Sequence, residues 1–203
     1  MFFLKELLLK IRALLSRLAA GGGKALAPAC AVALGLLEAG DLFVGGPSLT
    51  SIGAEEPDAA FTGPADPLLA AGAACALQRK GRGGVVVAAA ADNRRLDEAI
   101  ALAVPLALPL VLLVSCPQAS LDELSSRVMA ADMECIPADG RSVMKLMPAL
   151  RLAIDKAREG DGPALIECVS DQPLEDEDAP ADPLERLNSV LILEGYATPE
   201  ELA

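Results

Sequence analysis

Few side chains with catalytic or ligand-binding chemistry follow the two apolar runs of this sequence that are most typical of buried strands. Asp92 and Asn93 come after the first run and could offer oxygen ligands to a metal ion, while Cys116 ends the second run and could offer a thiol. Either Asp92 or Asn93 could instead cap the helix that follows, because both side chains accept hydrogen bonds from the free N–H groups of a helix start. No basic residue next to Cys116 in sequence would lower the pKa of its thiol. We therefore expect a capping role at Asp92 or Asn93 and an unreactive thiol at Cys116.

The elements that would position these side chains are a strand, a helix and a second strand. Residues 85–87 and 110–114 are short, continuous apolar runs, which are typical of parallel strands covered on both faces. The helix between them has an apolar face at helical spacing, made of Leu96, Ala99, Ile100 and Ala103. Because ligands bind at the carboxyl ends of strands in such sheets, the place for a site is present and most of its chemistry is missing.

Strands alternate with helices along most of the chain. This alternation predicts an α/β fold of three layers, in which a parallel sheet carries helices on both faces. We predict an amphipathic N-terminal helix over residues 1–22, an α/β domain over 23–170, an acidic loop over 171–181 and a C-terminal helical segment over 182–203. The further predicted elements are helices over 24–38, 67–78, 120–131 (capped by Ser120, with Glu123 at capping-box spacing) and 142–159, strands over 41–44, 133–137 and 164–169, and a loop over 45–67. In the C-terminal segment, Asp182 is expected to cap a helix that has Pro183 at its first position, and a last short helix starts near Thr198.

The composition excludes several classes of function. The 203-residue chain has a net charge of −12 and only 2% aromatic residues, which argues against nucleic acid as a partner and against general attraction to anionic membranes. Histidine is absent, so serine–histidine and cysteine–histidine mechanisms and histidine-based zinc sites are excluded. The five cysteines form no Cys-x-x-Cys pair and lie mostly in apolar runs, which indicates buried thiols in a reducing compartment, and we expect a cytoplasmic location. The acidic run at residues 175–178 is expected to be a solvated loop.

The N-terminal segment is apolar enough to raise the question of a membrane. Charged residues interrupt it too often for a spanning helix, and apolar residues precede the charges, unlike the order in a signal peptide. One interpretation is an amphipathic helix at a membrane interface. The other, which we favour, is a helix laid on the domain or on a partner subunit, so that no stable membrane insertion is expected.

Five segments, taken in order, resemble a known family. They are GKALAPACAVALGLLEAGD (23–41), PLLAAGAACA (67–76), LDEAIALAVPLALPLVLLVSC (96–116), GDGPALIECV (160–169) and DPLERLNSVLILEGYATPEEL (182–202). Together they resemble the α subunit of the thiamine-diphosphate-dependent 2-oxo acid dehydrogenases, the decarboxylating component of the pyruvate and branched-chain complexes. The resemblance covers nearly the whole chain and implies a thiamine-diphosphate-binding fold.

The family's cofactor contacts have no counterpart in this sequence. Family members hold Mg²⁺ and the cofactor's diphosphate with a Gly-Asp-Gly turn and, further along, an Asn-Asn pair, which are the hard oxygen ligands that magnesium needs. Aligned without gaps on Glu98 and the alanine that follows it, the aspartate of the turn falls on Ala88 and the asparagine pair on Cys116 and Pro117. A Tyr-Arg pair that contacts the diphosphate falls on residues 47–48, where Ser48 replaces the arginine. A histidine-bearing loop is replaced by the short acidic segment 170–181, which would repel a diphosphate.

This pattern predicts a catalytically degenerate homologue of the α subunit, with thiamine diphosphate and Mg²⁺ lost. We expect a structural or regulatory subunit that pairs with a β-subunit-like protein or with itself. The alternative is an active thiamine-diphosphate-dependent 2-oxo acid dehydrogenase or decarboxylase subunit whose cofactor ligands come from the partner chain. A third interpretation is an unrelated α/β domain that holds phosphate at the glycine turn 21–23 with help from Lys24.

Overall fold

The fold is taken from a computed structural model of the 203-residue chain. The structure describes residues 2–20, 26–45, 60–62, 66–81, 83–171 and 180–202. Ser48 and the acidic run at 175–178 lie outside these ranges.

The described residues form one sheet of six strands, all of them parallel. In chain order the strands are β1 (Leu42–Gly45), β2 (Ala60–Thr62), β3 (Val86–Ala90), β4 (Leu110–Cys116), β5 (Glu134–Asp139) and β6 (Ala164–Val169). In space their order is β2-β1-β3-β4-β6-β5. The direction of strand addition reverses at the β1–β3 pair, and it reverses again where β6 is inserted between β4 and β5. Such a reversal is where open α/β sheets usually form a crevice at the carboxyl ends of their strands.

Eight α-helices accompany the sheet in the described ranges. They are α1 (Phe2–Ala20), α2 (Ala27–Leu36), α3 (Pro67–Lys80), α4 (Arg94–Ala103), α5 (Leu121–Ala130), α6 (Val143–Glu159), α7 (Pro183–Leu193) and α8 (Pro199–Leu202). Buried residues of α1, α2, α6 and α7 pack on one face of the sheet, and those of α3, α4 and α5 pack on the other. The predicted three-layer α/β fold with a parallel sheet is therefore confirmed.

Strand β3 shows why the predicted strands are continuous apolar runs. All five of its residues are buried. Val87 and Ala89 join the cluster under α1, α2, α6 and α7, whereas Val86, Ala88 and Ala90 join the cluster under α3 and α4. Successive side chains of a strand point to opposite faces, so a strand covered on both faces has a nearly continuous apolar sequence.

Two sequence predictions about local structure are wrong. The loop predicted over 45–67 contains strand β2, which pairs with β1 in the register Phe43↔Ala60 and is too short to show a periodic pattern. Ser120 makes no capping hydrogen bond, because a 3₁₀ turn (Gln118–Ser120) leads into α5 and holds Ser120 at ψ near 0° rather than in the extended form of a capping residue. Asp182 does cap α7, accepting hydrogen bonds from the N–H groups of Leu184 and Glu185.

Helix α1 packs on the rest of the chain. Its apolar side, including Leu8, Ile11 and Leu15, is buried in the same cluster as α2 and the sheet. Arg12 also donates from Nε to Asn188 Oδ1 at 2.7 Å and from Nη2 to the Leu202 carbonyl oxygen. The interpretation of a helix laid on the domain is therefore confirmed. Within the described ranges, every helix is too short or too polar to cross a membrane.

A buried carboxylate organises the start of the sheet. Asp41, just before β1, is 1% exposed. Its Oδ1 accepts the N–H of Val85 at 2.8 Å, and its Oδ2 accepts both the N–H of Glu38 and Nη2 of Arg158, each at 2.8 Å. Asp41 thereby ties the end of α2, the approach to β3 and helix α6 together.

Candidate functional site at the carboxyl edge of the sheet

Three adjacent strands define the candidate site. The pairing of Ala90 with Val114 and of Cys116 with Val169 places the ends of β3, β4 and β6 side by side. Residues 91–93, 117–118 and 170–171 follow these strand ends, and we call these three short segments together the central edge. This is where the fold would place a ligand.

Ala88 does not lie on the central edge. It is in the middle of β3, is fully buried and packs in the cluster under α3 and α4. The turn that follows β3 consists instead of the exposed residues Ala91, Asp92 and Asn93. The gapless alignment therefore places the family's metal-binding aspartate at a position inside the strand, because a sequence comparison alone does not show that β3 continues to Ala90.

Asn93 and Asp92 have different roles, and sequence reasoning separated them only in part. The side chain of Asn93 accepts the N–H of Arg95 at 2.9 Å and caps α4, as expected for one of the two residues. Asp92 is held by a side chain that sequence reasoning did not single out, Arg127 of α5, whose Nη2 donates to Asp92 Oδ1. Arg127 is 35 residues away from Asp92 in sequence, so no local signal could have revealed the contact.

Arg127 also reaches a second carboxylate. Its Nε lies 3.0 Å from Asp97 Oδ1 in the first turn of α4. The N–H is not aligned well enough with this oxygen to count as a hydrogen bond, so the contact is an ion pair. The three side chains are between about a third and a half exposed, with relative areas of 37% for Arg127, 36% for Asp92 and 48% for Asp97. One guanidinium therefore connects the β3–α4 turn to α5, the helix that follows β4.

Cys116 lies at the end of β4 and is 3% exposed. Burial raises the pKa of its thiol to about 11, and the nearby carboxylates of Glu167, Asp92 and Asp171 act in the same direction. The thiol therefore stays protonated at neutral pH, which makes it a poor nucleophile. Pro117, the next residue, is exposed and offers no side-chain ligand.

The ends of β4 and β6 are tied to each other. The N–H and Oγ of Ser170 both donate to the Cys116 carbonyl oxygen, at 3.0 and 3.2 Å. The N–H of Gln118 donates to Asp171 Oδ1 at 2.5 Å. These bonds satisfy backbone groups that would otherwise face a ligand at this part of the edge.

Glu167 is a fully buried carboxylate just behind the central edge. It lies in β6, and its Oε2 accepts the hydroxyl of Ser125 at 2.7 Å. Its Oε1 has no hydrogen-bond partner among the described residues. The neighbouring thiol of Cys135 has its pKa raised to about 12, first by burial and then by the charge of Glu167. A buried carboxylate therefore lies directly behind the central edge.

Metal-binding groups are sparse in the part of the chain that the structure describes. No three Cys, Asp or Glu side chains there come close enough together to hold a metal ion.

A cavity of about 310 Å³ opens to one side, at the carboxyl ends of β5 and β6, with Leu121, Asp139 and Lys145 among its lining residues. Gln118 of the central edge also lines this cavity, whereas Asp92 and Cys116 do not.

Comparison with solved structures identifies the class of fold. The chain superposes on an enzyme from Mycobacterium smegmatis described as thiamin diphosphate-dependent, with a TM-score of 0.51 and 18% identity, over 68% of this chain and 30% of that one. It superposes on transketolase from Campylobacter jejuni with a TM-score of 0.54 and 15% identity, over 84% of this chain and 38% of that one. The chain therefore has the α/β fold of the thiamine-diphosphate-dependent enzymes and spans 30% and 38% of these two larger chains.

One curated protein is similar to this chain in amino-acid sequence. The alpha subunit of acetoin:2,6-dichlorophenolindophenol oxidoreductase from Bacillus subtilis is 37% identical over 49 residues, which is 24% of this chain and 15% of that protein. No protein-family model matches the chain. The similarity in sequence is thus to one stretch of an α subunit, and it covers about a quarter of this chain.

Proposed function

We propose that this chain is a catalytically degenerate homologue of the 2-oxo acid dehydrogenase α subunit and acts as a structural or regulatory subunit. The observation that supports this proposal is the chemistry of the central edge. Ala91, Cys116 and Pro117 carry no hard oxygen ligand in their side chains. The carboxylate of Asp92 is paired with Arg127, the side-chain oxygen of Asn93 caps α4, and Asp171 accepts the N–H of Gln118. Magnesium takes oxygen ligands in near-octahedral geometry. These side chains do not fit a magnesium-bound diphosphate.

The electrostatics of the edge support the same proposal. Glu167, Asp92 and Asp171 all lie near enough to Cys116 to raise the pKa of its thiol. A diphosphate placed there would face these carboxylates, and like charges repel strongly where protein lowers the effective dielectric. Arg127, the cation that reaches Asp92, already balances part of this charge.

A partner is proposed on two grounds. The Bacillus relative is itself named as an alpha subunit. The outer side of α3 and α4 and the turn that follows α4 also expose apolar residues: Leu69 of α3, Leu102 of α4 and Leu106 of the turn are 39%, 42% and 47% exposed. We call this surface the α3–α4 face.

Gly72 lies in the middle of α3, on the exposed side of the helix. A Cβ atom at Gly72 would meet nothing within 4 Å, so the packing of this chain does not require glycine there. A mid-helix glycine costs about 0.5–1 kcal/mol relative to alanine. Close approach of a second polypeptide to the α3–α4 face would explain it, and we propose that a β-subunit-like protein or a second copy of the chain packs there.

A cytoplasmic location belongs to the same proposal. All five cysteines are free thiols, and three of them are buried. Proteins of this kind are typical of reducing compartments.

Native mass spectrometry of the tagged chain, purified gently from its own host, tests the proposal. We expect a complex with a second subunit and no added mass for thiamine diphosphate and Mg²⁺. Isothermal titration of the same complex with thiamine diphosphate and Mg²⁺ should give no saturable heat. Saturable Mg²⁺-dependent binding would instead establish the alternative function, an active enzyme whose ligands come from the partner chain.

A pair of matched variants tests the surface. Replacing Leu102 and Leu106 together by glutamate should dissociate the complex, because two charges would be buried against an apolar partner. Leu193 of α7 is 85% exposed and lies on the opposite side of the sheet, so Leu193→Glu is the control and should leave the complex intact. A chain that runs as a monodisperse monomer and captures no partner would refute the subunit role.

A further inference from the structure

The guanidinium of Arg127 bridges two carboxylates. Asp92 follows β3, and Asp97 lies in the first turn of α4. Both carboxylates contact a single guanidinium that comes from a different element, α5. A divalent metal ion bound by two carboxylates also places positive charge between them, as this guanidinium does.

The basic side chains of α4 itself are engaged with other carboxylates. Arg94 pairs with Glu98 at 2.9 Å, one turn along the same helix. Arg95 pairs with Asp66, the capping residue of α3, at 3.2 Å. Arg127 is therefore the basic side chain, among those the structure describes, that contacts both Asp92 and Asp97.

We propose that Arg127 is a built-in replacement for a divalent cation at the central edge. Its guanidinium holds Asp92 and Asp97 together and joins the β3–α4 turn to α5, so this edge folds without a metal ion and takes none up. The inference rests on the proposed degenerate function, because it explains why the carboxylate nearest to the end of β3 is not available as a ligand.

The test compares the full wild-type chain with Arg127→Met and Arg127→Lys. The lysine variant keeps the positive charge but lacks the planar guanidinium that can contact two carboxylates. Thermal unfolding is measured in EDTA and in millimolar Mg²⁺ or Mn²⁺. We expect the wild-type melting temperature to be the same in all three conditions. Arg127→Met should melt lower by about 2–4 °C in EDTA, the shift for a partly exposed ion pair in a chain of this size, and Mn²⁺ should restore part of the loss. The melting temperature of Arg127→Lys should lie between those of the wild type and Arg127→Met.

The control removes the carboxylates that would receive the metal. In Arg127→Met combined with Asp92→Asn and Asp97→Asn, Mn²⁺ should restore nothing. Paramagnetic broadening of backbone amide signals by Mn²⁺ should affect residues 92–97 in Arg127→Met and leave them sharp in the wild type. Broadening of these signals in the wild type, or an Arg127→Met variant that neither loses stability nor responds to Mn²⁺, would overturn the proposal. These results concern the isolated chain, so they stand apart from the native-complex result that decides the subunit role.

Discussion

The buried carboxylate of Asp41 offers the sharpest test of how this sheet is held together. We predict that Asp41→Asn destabilises the fold although it preserves the size and shape of the side chain. An amide nitrogen would replace the Oδ2 that accepts the N–H of Glu38 and the guanidinium of Arg158, each at 2.8 Å, so donors would face donors. The charge of Arg158 would also lose its nearest counterion.

The expected magnitude follows from burial. Removing one partner of a buried ion pair costs about 3–5 kcal/mol, because the other charge is left uncompensated. The side chain of Arg158 is 26% exposed, so water recovers part of this cost, and Glu38 and Asp155 remain within 3.8 and 3.4 Å. We therefore expect Asp41→Asn to lower the free energy of unfolding by about 2–4 kcal/mol. This is a large share of the roughly 5–15 kcal/mol that typically stabilises a domain.

Urea denaturation measures this change directly as a shift of the midpoint at unchanged slope. Arg94→Met is the matched control, because it breaks an ion pair whose arginine is 89% exposed and should change the stability by less than about 0.5 kcal/mol. Arg158→Met combined with Asp41→Asn should cost less than the sum of the single changes, since both remove the same interaction. If Asp41→Asn lowers the free energy of unfolding by less than about 1 kcal/mol, the contacts of this carboxylate do not stabilise the fold as expected.

Three further predictions concern the interior. Ala88→Asp should lower the free energy of unfolding by about 3–5 kcal/mol or prevent folding, because position 88 is fully buried within β3. Titration calorimetry should detect no Mg²⁺ binding to this variant. A folded variant that binds Mg²⁺ would place the family's metal position at residue 88 after all. Gly84→Ala should cost about 1–3 kcal/mol in urea denaturation, since its Cβ would lie 2.4 Å from the Gly40 carbonyl oxygen, and an unchanged midpoint would contradict that close approach. The pKa of Cys30 is raised by burial from 9.0 to about 12, so its contribution to stability is complete below pH 9.0 and is lost as the pH rises toward 12. Cys30→Ala should therefore reduce the alkaline loss of stability by about 1.4 kcal/mol per pH unit in this window, and an unchanged slope would show that the thiol is not shielded.

The sequence was sufficient to predict the elements whose burial is complete. The run 110–114 is a short continuous apolar segment typical of a buried strand. Leu96, Ala99, Ile100 and Ala103 share one face of a helix, and both elements are found as predicted. Strand β2 was missed because three residues carry no periodicity, and its position depends on pairing with β1. The cap at Ser120 failed because it depends on a backbone angle that the 3₁₀ turn determines. Local pattern predicts burial well and predicts backbone geometry at element ends poorly.

The contacts of the candidate site were largely out of reach of the sequence. Asp92 was identified as a chemically capable residue, but Arg127, which engages it, lies on a helix that reaches Asp92 only through the folded sheet. The alignment of Ala88 with a metal ligand depended on counting residues from Glu98, and the structure shows that β3 extends past this position. A site made of strand ends is therefore sensitive to the length of each strand, which composition and spacing do not reveal.

The packed core and the exposed edge of the sheet are under different constraints. All of β3 is buried between two apolar clusters, so its residues are constrained by packing, whereas residues 91–95 just beyond it are exposed. Substitutions at exposed positions usually change stability by less than about 0.5 kcal/mol, so ligands at the edge can be replaced with little effect on the sheet. The exposed leucines of the α3–α4 face are different, because an apolar surface favours association and gives no benefit to an isolated chain. A subunit role accounts for both observations, since it requires the sheet and the outer surface and makes no demand on the edge.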